Sequence, residues 1–266
     1  MDPQYMQALT RPATIRQIRL DLTTRCDLRC VYCAVSQKSY QGQDMPKVIR
    51  ERAVALVGRI GTYHGLEPVD INGHGETTFA DGWVETCRHL LLRDIPLRLT
   101  TNLAREYTQE EIEVLACMRS VAISIDTCDR ALLRRLRRKV DVRQIVMNIQ
   151  LIRASALRLY RKSPRFSFLT GLYDKNALLV EDLARFAVAL GVYKMGFWSL
   201  THYPYDHTDV GLEDQVFPLD DLADTDLLPR VQAILSAIRL LRENRLEVDV
   251  HADFIRVLAR RVGLDA

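Results

Sequence analysis

An α/β fold is what the sequence predicts: a partial (β/α)6 TIM-like barrel over residues 14–200, then a small C-terminal α/β extension over residues 201–266. Three observations point there. Short strand-like runs take turns with helical patterns six times between residues 15 and 200, and that alternation argues for parallel βα units. Polar residue clusters recur where those runs end, and in βα barrels the chemistry gathers at the C-terminal ends of the strands. After Leu200 the pattern changes to an Asp-rich stretch with Pro204 and Pro218, too long for an ordinary loop.

The elements follow in order. A first strand runs from Ile15 to Leu22, with Ile18, Leu20 and Leu22 on one face. A loop carries Cys26, Cys30 and Cys33, and Pro46 opens a helix whose apolar stripe is Ile49, Ala53, Leu56, Val57 and Ile60. Val69-Asp70-Ile71 is the second strand, ending in Asn72-Gly73-His74-Gly75-Glu76, with a helix over 80–93 behind it. Leu97 to Asn102 alternates as a third strand, and the helix over 108–118 starts with acidic residues that suit its N-terminal dipole. Val121 to Asp126 is the fourth strand, followed by two helical stretches to Ala156. Phe166 to Thr170 is the fifth, with a helix over 180–190 stopped at Gly191, and Tyr193 to Leu200 is the sixth. In the extension, Pro229 to Asn244 is an amphipathic helix, Leu246 to His251 a strand and Phe254 to Val262 a last helix.

Composition sets outer bounds. The chain has 266 residues, 48% hydrophobic and 27% charged, the profile of an ordinary water-soluble protein. No apolar run approaches the roughly 20 residues that span a bilayer, and residues 1–14 carry no apolar core of a signal peptide. The expected location is the cytoplasm, where disulfides are rare. A net charge of +3 does not by itself indicate nucleic acid.

The sharpest signal is the triplet Cys26-x3-Cys30-x2-Cys33 on one tight loop. Cysteine thiolates at such spacings hold iron–sulfur clusters, and three ligands leave the fourth iron open, as catalytic metal sites keep an open position. A structural zinc site would need a fourth ligand; no second cysteine pair follows, and the nearest histidine, His64, is 31 residues past Cys33. Cys87, Cys117 and Cys128 are spread without metal spacing and read as buried thiols.

With the strand leading in and Tyr32 just before the last cysteine, the motif resembles the radical S-adenosylmethionine superfamily. The resemblance covers residues 14–200. It implies one 4Fe–4S cluster on Cys26, Cys30 and Cys33, with S-adenosylmethionine chelating the open iron. It also implies reductive cleavage of that cofactor and hydrogen abstraction from a substrate by a 5′-deoxyadenosyl radical. Gly75-Glu76 matches the last two positions of the family's Gly-Gly-Glu motif, with His74 in place of the first glycine; that segment meets the cofactor's amino group. Tyr32 is implied near the adenine, Ser124 and Asp126 at the ribose or carboxylate, and Thr101, Asn102 and Thr170 at the same rim.

The residues themselves leave other roles open. Tyr32 suits a core position, Asp126 an N-cap, and Met195 to Trp198 either barrel core or a backbone cradle for the adenine. Asp174 to Asn176 and Leu179 to Glu181 resemble the segment after the fifth strand in peptide-modifying members. The run from Arg134 to Lys139 suits a solvated helix face or a phosphate or acidic-peptide site. Cys128, just past the fourth strand, is the candidate hydrogen-atom donor to a substrate radical.

The expected activity is hydrogen abstraction from a peptide or small natural-product substrate: epimerisation, rearrangement, decarboxylation or C–H functionalisation. No cysteine follows Cys128 to hold an auxiliary cluster. An external donor of flavodoxin or ferredoxin type would supply electrons. Two alternatives stand: an RNA-modifying member, which would bind RNA in a salt-dependent way, and a metal-stabilised binding module without turnover.

Overall fold

The computed structural model describes residues 15–64, 67–159, 161–200 and 214–265. Seven parallel strands form one sheet in sequential order: β1 Arg19–Leu20, β2 Val69–Ile71, β3 Leu97–Thr101, β4 Ser120–Ser124, β5 Arg165–Leu172, β6 Lys194–Ser199 and β7 Glu247–Val250. The helices are α1 Lys47–His64, α2 Trp83–Leu91, α3 Gln109–Ala116, α4 Arg130–Arg137, α5 Val142–Arg158, α6 Val180–Ala189, α7 Asp224–Glu243 and α8 Phe254–Arg261. This is the partial TIM-like barrel, with the extension's strand β7 paired directly on β6 through Lys194↔Glu247 and Phe197↔Val250. No helix among the described residues is long and apolar enough to cross a membrane.

Side chains alternate across a strand, and the two faces of this sheet carry different chemistry. One face is apolar: Val69, Ile71, Leu97, Leu99, Val121, Ile123, Phe166, Phe168, Met195 and Phe197 are buried in the core shared with the helices. The register keeps them in rows, with Ile123 opposite Phe168 and Phe168 opposite Met195. The other face carries Thr100, Ser124 and Trp198 into a cavity at the C-terminal ends of the strands. At the N-terminal ends it carries the ion pairs Arg98–Asp70 and Lys194–Asp249.

Two elements near the start of the barrel depart from expectation. The first strand is two residues long instead of eight, and past it the chain leaves the sheet at Leu22. Met45 N–H donates to Leu22 O at 2.8 Å, Thr24 N–H to Gln43 O at 2.9 Å, and Thr23 pairs antiparallel with Asp44. Helix α1 turns a different face to the core. Val54 and Val57 are buried, while Ile49 and Leu56 are about half exposed. Arg50 is buried on the inward face, donating to Asp81 O at 2.5 Å beside Gly82 at φ 72°. Expectations for residues 1–14, His202, His207 and the first half of the Asp-rich stretch lie outside the described residues.

Candidate active site

The cysteine loop is docked on the barrel by its backbone. Gly75 N–H donates to Thr23 O at 3.2 Å and Glu76 N–H to Arg25 O at 2.8 Å. A Cβ on Gly75 would lie 2.2 Å from Arg25 O, so only glycine allows this approach. On the loop's far side Val31 N–H donates to Leu136 O at 2.8 Å, at the end of α4. One strand end, that of β2, and one helix end therefore hold the loop.

Glu76 joins β2 to β3. Its buried Oε1 accepts from Thr78 N–H at 3.1 Å, the Thr78 hydroxyl at 2.9 Å and the Thr101 hydroxyl at 2.8 Å. Oε2 accepts from Asn102 N–H at 2.7 Å. Burial raises the carboxyl above its ordinary range, and these hydrogen bonds offset part of the rise. Asn102 passes the connection on, its amide donating to Asp27 Oδ1 at 2.8 Å inside the cysteine loop.

A cavity of about 530 Å³ is lined by Cys26, Cys30 and Cys33, and also by Tyr32, Gly75, Glu76, Thr101, Asn102 and Ser124. Burial pushes the Cys30 thiol up to about 12 and holds Cys26 well above its ordinary range, so thiolates there need a cationic partner such as iron. Among the described residues no three His, Cys, Asp or Glu side chains form a ready metal cage. The donor set nevertheless fits a cluster: soft sulfur ligands on a docked loop, with Leu28 N–H directed at Cys26 Sγ at 3.4 Å. Asn72, in the same wall, has a buried Oδ1 without a hydrogen-bond partner, which fits an ammonium donor.

Three expected site residues are not in the wall. Asp126 lies behind Tyr32, fully buried, its carboxylate gripped by Arg137 Nε at 2.8 Å and Nη2 at 3.1 Å. Tyr32 O–H donates to the same carboxylate at 2.5 Å, and the side chain, 0% exposed, lies behind the wall and not in it. Thr170 sits on the helix side of β5, its hydroxyl donating to Ile125 O at 2.9 Å. Cys128 packs half-buried against the core, where burial and Asp182 of α6 raise its thiol.

Other residues enter the wall unannounced: Asn72, Thr100, Arg137, Ser199, Leu200 and His251. Arg137 had a readable signal, since Leu133, Leu136 and Arg137 share one buried helical face at i, i+3, i+4. The rest of the basic run is surface: Arg134 pairs with Asp141 and Arg135 with Asp214. Trp198 lines the cavity, and its ring meets that of Tyr32 edge-on at 6.4 Å. Asn176 is a brace, donating to Asp126 O at 2.9 Å and Gly171 O at 2.7 Å.

Comparison with known proteins finds relatives in sequence and neighbours in fold. The probable GTP 3′,8-cyclase of Pyrococcus abyssi is 34% identical over 121 residues, covering 45% of this chain and 37% of that protein. The GTP 3′,8-cyclase of Pseudomonas entomophila is 28% identical over 180 residues, covering 64% and 49%. The chain thus spans about half or less of these relatives. In fold it is similar to Streptococcus suis SuiB bound to S-adenosylmethionine (TM-score 0.68, 14% identity, 98% of this chain and 56% of that one). It is also similar to native anSMEcpe with bound AdoMet (TM-score 0.63, 15% identity, 88% and 64%). The model of the Radical SAM superfamily matches residues 20–187. With that match over more than half the chain and a cysteine triplet on a docked loop, the chain belongs to the radical SAM superfamily.

Proposed function

We propose that this chain abstracts a hydrogen atom from a peptide or small natural-product substrate, with a 4Fe–4S cluster on Cys26, Cys30 and Cys33. The observation that carries this reading is one cavity shared by the three thiols, the Gly75-Glu76 loop, Ser124 and the wall of Trp198, Ser199 and His251. The superfamily's cluster and S-adenosylmethionine, when bound, supply the 5′-deoxyadenosyl radical.

The chain's own residues bind, orient and exclude water. Asn72 Oδ1 and the Gly75-Glu76 segment offer acceptors to the cofactor's ammonium, and the Ser124 hydroxyl offers a polar contact on the same wall. Glu76 and Asn102 keep the strand ends and cysteine loop in fixed relation, the preorganisation that hydrogen abstraction needs. Leu28, Trp198 and Leu200 add apolar wall that keeps water from the reacting centre. A cytoplasmic setting and an external donor of flavodoxin or ferredoxin type complete the reading.

A second reading has one observation in its favour: the curated relatives named above are GTP 3′,8-cyclases. The cavity supports it less. Among the described lining residues the one Lys or Arg is Arg137, and its guanidinium is committed to Asp126, so these residues by themselves offer a triphosphate no free cation.

The test is anaerobic reconstitution, reduction with dithionite, addition of S-adenosylmethionine and detection of 5′-deoxyadenosine by mass spectrometry, with and without GTP or candidate peptides. We expect 5′-deoxyadenosine from the parent chain and background levels from Cys30→Ala. Equal yields from both, or zinc in place of iron, would end the radical reading. Turnover driven by GTP alone would favour the cyclase.

A further inference from the structure

The Asp126–Arg137 ion pair is almost wholly buried, with side chains 0% and 6% exposed. A pair so desolvated is an expensive element, and its surroundings give it a use. Arg137 closes helix α4, and the next two residues, Arg138 and Lys139, both take positive φ, 43° and 65°. Consecutive left-handed non-glycine residues store backbone strain. This strained turn follows directly on the helix end that docks on the cysteine loop, where Cys30 Sγ lies 3.9 Å from Arg137 O. Tyr32, between Cys30 and Cys33, donates to Asp126, and the guanidinium lies 5.8 Å from its ring centroid. Arg137 also lines the cavity.

We propose that Asp126 and Arg137 are positioning residues that lock the cysteine loop and cancel each other's charge beside it, so that neither charge alone displaces the reduction potential of the cluster. The inference rests on the cluster being held by Cys26, Cys30 and Cys33. Reducing an iron–sulfur cluster adds an electron to an anionic site. A nearby cation favours the reduced form and a nearby anion disfavours it, and a low-dielectric surround strengthens both effects. As a pair their fields largely cancel; separated, each acts alone.

The test is a redox titration of the reconstituted protein followed by electron paramagnetic resonance, with iron counted in every sample. Asp126→Asn leaves the guanidinium uncompensated. It should raise the ratio of reduced to oxidised cluster at fixed potential about tenfold, a shift of about 59 mV for one electron. Adding Arg137→Gln to that variant should return the midpoint to the parent's value. If the single and double variants move together, or neither moves with iron fully bound, the pair is structural only and the proposal fails. Should Asp126→Asn bind too little iron, Arg137→Gln alone serves, and it must shift the midpoint downward. An upward shift or none overturns the proposal. Full iron binding by Cys30→Ala would instead show that the cluster assignment itself is wrong.

Discussion

Glu76 concentrates the site's design in one side chain. Its carboxylate accepts four hydrogen bonds, three at Oε1 and one at Oε2. Glu76→Gln puts an amide NH2 where one of those donors needs an acceptor, and an unmatched buried donor costs about 1–3 kcal/mol. The pH dependence has a definite sign. Burial lifts the Glu76 carboxyl above its ordinary 4.5, so the folded chain holds this proton more tightly than the unfolded chain does. The contribution is favourable below 4.5 and is lost as pH rises through the window above it. The glutamine variant does not titrate there. Its deficit against the parent should therefore be largest at acidic pH and narrow as pH rises, which urea unfolding at a series of pH values will measure. A deficit that widens with pH would contradict this account.

Helix α3 illustrates how far local chemistry was readable at the scale of an element. Its acidic start was legible as a dipole match, but the full device is a capping box. Glu111 N–H donates to Thr108 Oγ1 at 3.3 Å and Thr108 N–H to Glu111 Oε2 at 2.8 Å. Thr108→Ala should cost about 1 kcal/mol in chemical denaturation; an unchanged midpoint would mean that Arg105 and Trp83, which also donate to Glu111, hold the helix start alone. The six barrel strands and the two helices after β4 were legible because period two and period 3.6 are local signals. Helix α7 starts at Asp224, before the expected Pro229, since Leu227 is already buried and Arg261 reaches across to Asp224 at 2.7 Å. The cavity was half legible for the same reason. Cysteine spacing and strand ends are local, whereas the burial of Asp126 under Arg137 and the entry of His251 from β7 depend on contacts between distant segments.

Across the whole sheet the two ends have different work. The C-terminal ends carry the thiols, the Gly75-Glu76 loop and the cavity wall. The N-terminal ends carry ion pairs between neighbouring strands: Arg98 with Asp70, Lys194 with Asp249 and, one strand further apart, Arg165 with Glu247. In a βα barrel this separation lets stability be tuned at one end without touching the chemistry at the other. Arg98 is the clearest member, since its fork meets Asp70 at 2.7 and 3.0 Å and Asp70 in turn holds Gln17 at 3.0 Å. Its side chain is 37% exposed, so solvent screening limits the pair to about 1 kcal/mol. Arg98→Met keeps the aliphatic stem and removes the fork. The variant should lose about that much stability in denaturant, and the loss should shrink at high salt as the parent's pair is screened. Iron content and the yield of 5′-deoxyadenosine should match the parent, because none of the bonds that dock the cysteine loop involves Arg98 or Asp70. A variant that kept its stability but bound less iron would mean that strain travels along β2 and β3 from one end to the other, and the division of labour between the two ends of the sheet would then have to be abandoned.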